Sequence, residues 1–374
     1  MNTTSPEAAA GPVGMSRTQD AGPMGMPSSQ TTAGPMRTPR PQDAGPMETP
    51  RPHDGDGTGQ PPRTVVVTGV GLALPGVRKP ADLLGPLPAD GGFDPATGLT
   101  GREMRHKDRA SRLALRATEP ALRDAGLLDD DARFLGAADT TAVVVSSNLG
   151  SLDTVCEFTD TIARSGVGAL SPLGLPQTSS NVVAGWVAIR HALRGPNLTV
   201  CNGATSGLDA LYWARNLIAA GRAETAVVVG VEPSGDAVTK LLGEQTTDAA
   251  VAVVLESAAG AAARGARPRA TFGGYARTRD LPSALTAAGT AEAAPVGLWL
   301  TGPDLGQPPA GVPAGARRVD LEAGLGPLSG TLGVLQCAAA VAHLDGGGEG
   351  SVLATTGGPG HDATAALLLR RSDA

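Results

Sequence analysis

Aromatic side chains are nearly missing: three Trp, two Tyr and four Phe make up 2% of the 374 residues. A core must therefore be built from Ala, Val and Leu, which demands short side chains and closely approaching backbones. Lysine is scarce too, since 27 of the 30 basic residues are Arg and only Lys79, Lys107 and Lys240 are Lys. That bias reads as GC-rich coding. The formal net charge is −6 and no long basic run interrupts it. Nucleic acid is thereby excluded as the main partner, because phosphate binding needs clustered Lys and Arg. Cys156, Cys201 and Cys337 are odd in number, widely spaced and contain no CxxC pair. Neither a disulfide framework nor a zinc site fits that spacing, and no metal or cofactor is expected. No stretch approaches the roughly 18 uninterrupted apolar residues that span a bilayer. The N-terminus lacks the apolar core of a signal peptide, so a cytoplasmic address without a membrane partner is expected.

What is present divides into two unlike parts. Residues 1–62 contain no Leu, Ile or aromatic but hold 12 of the 31 prolines and six of the seven methionines. Ala-Gly-Pro-Met recurs at Ala21, Ala33 and Ala44, and Thr-Pro-Arg-Pro at Thr38 and Thr49. Such a segment cannot bury enough apolar surface to offset its ordering entropy, and a disordered leader is expected. Ordered structure is expected from residue 63, in one half over 63–256 and a shorter one over 257–374.

The β-branched run from Thr64 to Val70 predicts a buried strand, as do Thr141–Ser146, Leu198–Cys201, Ala226–Val231 and Ala249–Leu255. Helices are predicted over Ala110–Ala125 (closed by Gly126), Asn181–Leu193 and Leu208–Ala220. After Gly260 the pattern restarts, with strands at Ala270–Ala276, Val296–Thr301, Ser351–Thr355 and Ala363–Leu369 and a small-residue helix from about Gly330 to Leu344. Alternation of this kind implies a mostly parallel sheet covered on both faces. Gly69-Val-Gly71-Leu-Ala-Leu-Pro-Gly76 follows a strand but is no dinucleotide fingerprint, because Pro75 disfavours the helix that should begin there.

The specific signal lies at Gly195-Pro-Asn-Leu-Thr-Val-Cys-Asn-Gly-Ala204-Thr-Ser-Gly207. This stretch resembles the nucleophile region of the β-ketoacyl synthase (thiolase-like) family. There a Gly-Pro pair precedes a strand, and a tight turn presents cysteine at the start of a buried helix. Such a helix start lowers a thiol pKa and offers backbone N–H groups to an oxyanion. Leu175–Asn181, Gly221–Glu232, Val65–Gly71 and Asp108–Leu115 are similar to further family landmarks. The resemblance implies an α/β, five-layered αβαβα fold with two related halves, of which the second is shortened here.

It also exposes losses. The family cysteine position is Ala204, whose methyl group can neither attack a thioester nor hold an acyl chain. Gly326-Pro-Leu-Ser-Gly-Thr-Leu-Gly333 resembles the family's Gly-His motif, with Pro327 at the histidine and Glu322 near the usual lysine. Thr301 in Leu300-Thr301-Gly302 stands for the other histidine. Gly357-Gly-Pro-Gly-His-Asp-Ala363 resembles the family's glycine-rich turn, with Gly358 replacing a gating phenylalanine. The remaining candidates for a pocket are Cys201, Ser206, Gly357, Gly358 and His361. Cys201 reads as a structural cysteine packed into the sheet, and Ser206 as a hydroxyl with no histidine placed to activate it. Arg102, Arg105, Lys107, Arg109 and Arg112 form the densest basic cluster, a solvated helix face or a docking surface for an acyl carrier protein.

The family activity is 3-oxoacyl-[acyl-carrier-protein] synthase. With the Cys-His-His set gone, the resemblance points to a non-catalytic subunit similar to the chain length factor of type II polyketide synthases. Such a subunit pairs with a cysteine-bearing ketosynthase in polyketide or fatty-acid-type biosynthesis. The interface is expected on Asn181–Ala192 and Leu208–Ala220. Alternatives are a residual malonyl-carrier decarboxylase or acyltransferase, and a homodimer that binds acyl thioesters.

Overall fold

The computed structural model describes residues 63–86, 93–291, 293–302, 312 and 315–372, so the expected leader over 1–62 lies outside the described residues. The first half comprises β1 (Val65–Ala73), α1 (Arg109–Asp124), β2 (Thr141–Ser146), α2 (Leu152–Ser165), α3 (Val182–Arg190), β3 (Asn197–Val200), α4 (Ser206–Ala219), β4 (Thr225–Glu232), α5 (Asp236–Leu242) and β5 (Ala249–Ser257). Then come α6 (Ala258–Ala263), β6 (Ala270–Thr278), α7 (Leu281–Ala287), β7 (Val296–Thr301), β8 (Arg317–Asp320), α8 (Glu322–Leu325), α9 (Leu332–Asp345), β9 (Ser351–Gly357) and β10 (Thr364–Arg370).

The strands bond in the order β3-β2-β4-β5-β1-β6-β10-β9-β7-β8. Only two residue pairs join β1 to β6, Val66 with Thr271 and Val67 with Ala270. On either side the order is the same once β1 to β5 are matched with β6 to β10, so the chain consists of two related halves. The second half is the shorter. Fifty residues, 147–196, separate β2 from β3, against 15, 302–316, between β7 and β8.

Successive strand residues face opposite sides of a sheet, and here the two sides enter different cores. Ala226, Val228, Val251 and Val253 share a core with α4 and α9, whereas Val227, Val229, Ala252 and Val254 face α1 and α3. In the second half Leu298, Leu300, Val352 and Leu367 enter that same central core, while Trp299, Leu353 and Leu368 pack with α7. The layers are therefore α1/α3, sheet, α4/α9, sheet, α7, the αβαβα arrangement expected. Burial of α9 on every side, from Leu332 to Val341, follows from its place between two sheets.

The expectation of a mostly parallel sheet is corrected. β2–β3, β2–β4, β7–β8 and β7–β9 are parallel, but β1–β5, β4–β5, β1–β6, β6–β10 and β9–β10 are antiparallel. An uninterrupted apolar run signals burial on both faces without fixing strand direction. The short connection 358–363 between β9 and β10 allows only a hairpin. The helix expected over Asn181–Leu193 stops at Arg190, because Ala192 adopts a left-handed φ of 55° and Leu193 N–H returns to the Ala188 carbonyl at 2.9 Å.

Candidate functional site

Gly195-Pro196 sets the approach to the site. A Cβ on Gly195 would lie 2.4 Å from the Thr141 carbonyl oxygen, so only glycine lets β3 run beside β2 there. Val143 N–H then bonds the Pro196 carbonyl at 2.8 Å and starts the parallel register. β3 leads into the 3-10 turn Gly203–Thr205 with Gly203 at φ 70°, and the turn runs directly into α4. Ala204 is half-buried at that helix start.

A second turn, Ser329–Thr331, leads into α9 and packs on the first. Gly207 and Gly333 meet where the two central helices cross. A Cβ on Gly333 would fall 2.4 Å from Leu208 N, and one on Gly207 would fall 2.7 Å from Gly333 N. The N-termini of two 14-residue helices thus converge on one place, and neither carries a side-chain cap.

Two residues lock the turns together. Asn148 satisfies all of its amide valences: its Nδ2 donates to the Gly203 carbonyl and Ser329 Oγ, both at 2.9 Å. Its Oδ1 accepts from Gly203 N–H at 3.2 Å and Ser206 Oγ at 2.9 Å. Glu232, at the end of β4 and 4% exposed, accepts backbone N–H bonds from Asn148 (2.6 Å), Leu149 (2.9 Å) and Gly330 (3.0 Å). Burial pushes its pKa up to about 7, against the pull of those donors. Ser146 Oγ adds a bond to the Gly330 carbonyl at 2.6 Å. These bonds tie the end of β2 and β4 in one half to the start of α9 in the other.

A third group lies under the first turn of α4. Asp209, 3% exposed, accepts from Asn202 Nδ2 (3.0 Å), Thr205 Oγ1 (2.8 Å) and the Tyr275 hydroxyl. Tyr275 stacks on Tyr212 with centroids 4.2 Å apart. Burial and the Asp209 charge raise the Tyr275 pKa, so it stays a neutral donor. Arg277 on β6 donates from Nε to Thr205 Oγ1 at 3.1 Å.

Ser206 is fully buried, donates to Asn148 and accepts from Asn202 N–H at 2.6 Å, so its hydroxyl serves the turn. Cys201 departs from expectation: it lies beyond the end of β3 and is exposed, not packed into the sheet. Partial desolvation of its thiol and the Glu232 charge raise its pKa, the opposite of an activated nucleophile. Thr301 is fully buried at the end of β7, and Pro327 is half-buried just before the Ser329 turn. Gly357 (φ 77°) ends β9, Gly358 (φ 147°) opens the hairpin, and His361 is exposed there with its N–H on the Gly358 carbonyl. His191 is buried at the end of α3, His106 is exposed, and His343 is near the end of α9. None of the four described histidines hydrogen-bonds the Ala204 turn.

The basic cluster does not form one solvated face. Lys107 is 6% exposed, sits 3.8 Å over the Trp186 ring, donates to the Glu103 carbonyl at 2.8 Å, and has its pKa lowered by burial. Arg109 forks onto Asp248 at 2.7 and 2.5 Å, and Arg112 bonds the Met104 carbonyl at 3.1 Å. Sequence reasoning counted these charges without seeing that their partners come from other elements.

The arrangement can present a side chain at two helix N-termini, but the side chain is a methyl group. Replacing it tests what else is missing. Ala204→Cys is expected to create a thiol that alkylating reagents reach, yet to give no carbon–carbon bond formation from acyl and malonyl thioesters. Product formation in that variant would mean that a base other than histidine serves the site.

Residues 78–247 match the model of the β-ketoacyl synthase N-terminal domain. A 3-oxoacyl-[acyl-carrier-protein] synthase 2 of Rhizobium meliloti is 31% identical over 222 residues, 51% of this chain and 51% of that protein. The granaticin polyketide putative β-ketoacyl synthase 1 of Streptomyces violaceoruber is 28% identical over 265 residues, 57% and 63% of the two chains. The chain spans about half the length of the first two curated relatives it matches. Among solved structures, the ishigamide ketosynthase/chain length factor is similar with a TM-score of 0.67 and 26% identity, over 83% of this chain and all of that one.

Proposed function

We propose, with membership of the β-ketoacyl synthase family as the premise, that this chain is a non-catalytic subunit that pairs with a cysteine-bearing ketosynthase. The observation that carries the reading is Ala204, a methyl group at the helix start where the family places its nucleophile. Pro327 and Thr301 at the two expected histidine positions support it, since neither side chain can stabilise an enolate as an imidazole does. The pairing face is the outer edge of β3 with its flanks. That edge, Asn197-Leu-Thr-Val200, ends the strand order and bears none of the charges that guard exposed edges. Ile189 of α3 and Trp213 of α4 beside it are 69% and 51% exposed. Not one residue of α2 is buried, and Val155, Ile162, Leu173 and Leu175 expose apolar surface there and in the segment that follows. Large exposed apolar area of this kind marks an interaction face. The partner would complete the acyl pocket against it, with an acyl carrier protein delivering the chain.

The test is co-expression with ketosynthases from the same genome, followed by size analysis. A heterodimer is expected, and the double change Ile189→Asp and Trp213→Asp should weaken it at least about tenfold, the equivalent of 1.4 kcal/mol. A chain that stays monomeric with every such ketosynthase would sink the reading.

A further inference from the structure

The loop that leaves β2 sets one side chain between the two turns. Glu232 receives the N–H groups of Asn148 and Leu149 at 2.6 and 2.9 Å, which fixes the backbone there. The Asn148 carboxamide then grips the Ala204 turn on both sides of Ala204. It takes the N–H and the carbonyl of Gly203 and the hydroxyl of Ser206. On its other side it meets the second turn, where Nδ2 donates to Ser329 Oγ. A Cβ built on Gly330 would lie 3.3 Å from Asn148 Nδ2 and 2.7 Å from Glu232 Oε1. The ground between the turns is thus filled at Gly330 to within one carbon atom.

Ser329 is strained in this arrangement. Its φ of 44° lies in the left-handed region that residues with a Cβ avoid. Such a conformation persists only where surrounding bonds hold it. The bond from Asn148 is the one its hydroxyl makes among the described residues. The Gly203 N–H and the Ser206 hydroxyl, two donors at the start of α4, are likewise taken up by the same carboxamide.

We infer that Asn148 is an autoinhibitory latch, which closes the two turns on each other and keeps acyl thioesters from residue 204. Loss of the nucleophile is then one of two losses, because the ground beside it is taken as well. A thiol restored at that position stays walled off until the latch opens. The latch rests on contacts within this chain, so it goes beyond the pairing role and stands without it.

Alkylation of the full chain carrying Ala204→Cys, with iodoacetamide and site-by-site mass spectrometry, tests the latch. A thioester is larger than this probe, so what excludes the probe excludes the thioester too. Residue 204 should react at least about a hundredfold more slowly than in the same chain unfolded in urea, since reaction waits for a local opening. Adding Asn148→Ala should speed reaction there at least about tenfold. Exposed Cys156 and buried Cys337 are internal controls whose rates should not change, whereas general loosening would raise that of Cys337. Should Asn148→Ala expose Cys337, Asn148→Asp takes its place. That variant keeps the acceptor for Gly203 and Ser206 but loses the donor to Ser329, and should speed reaction severalfold. Reaction of residue 204 at the unfolded rate without any change at Asn148 overturns the latch. So does an unchanged rate in a folded Asn148 variant. The measurement needs no partner, so its failure leaves the pairing experiment untouched.

Discussion

Gly333→Ala is expected to yield no folded protein. The added Cβ falls 2.4 Å from Leu208 N and 2.7 Å from the Gly207 carbonyl carbon, both backbone atoms that no rotamer change can move. Relief would require α4 and α9 to separate along the crossing that seats the central core. Each large apolar side chain exposed by that separation forfeits about 1.5–3 kcal/mol. The loss should therefore exceed about 4 kcal/mol, most of the stability of an ordinary domain. Gly185→Ala is the matched control. It lies inside α3 with nothing within 4 Å of its built Cβ, so the change should be neutral or stabilising by up to about 1 kcal/mol. Soluble yield and urea midpoints of the pair decide the matter. A folded Gly333→Ala protein with the parental midpoint would show that the helices do not approach this closely.

Glu232→Leu should be the second most damaging change, though its volume is nearly conserved. It strands the backbone N–H groups of Asn148, Leu149 and Gly330, which the carboxylate now receives at 2.6, 2.9 and 3.0 Å. An orphaned buried donor costs about 1–3 kcal/mol, so a loss of at least about 3 kcal/mol is expected. Glu232→Gln keeps one acceptor and should fall between the two. Hydrogen exchange adds a local readout. The Gly330 amide should lose protection in both variants before the sheet does, because Glu232 is the one acceptor of that N–H among the described residues. Equal protection in all three proteins would remove Glu232 from this bracing role.

Much of the fold was legible from local pattern. Thr141–Ser146 and Val296–Thr301 form strands with the predicted ends, and α1, α4 and α9 lie within a few residues of expectation. Uninterrupted Val and Ala runs report burial on both faces, and that signal is local. α2 was missed although Leu152, Val155 and Ile162 share one helix face, a face that the structure leaves unburied. Strand direction was misread because a buried run looks alike in either sense. Cys201 was placed in the sheet because the strand was read as Leu198–Cys201, yet the ladder ends one residue earlier, at Val200.

The candidate site divides in the same way. Ala204 could be picked out from the Gly-Pro pair before it and the Ser-Gly after it, since the turn is a contiguous segment. Asn148, Asp209 and Arg277 could not, and Glu232 showed only as an acidic residue ending a strand.

By itself, then, the amino-acid order determined two strand-and-helix series, a core of short side chains, and a helix start without a reactive atom. Tertiary structure alone decided that Glu232 meets Gly330 across 98 residues and that Arg277 meets Thr205 across 72. The reason is physical. Strand and helix periodicity is written in neighbouring residues, whereas these contacts depend on cross-strand register and on two glycines that let the central helices touch.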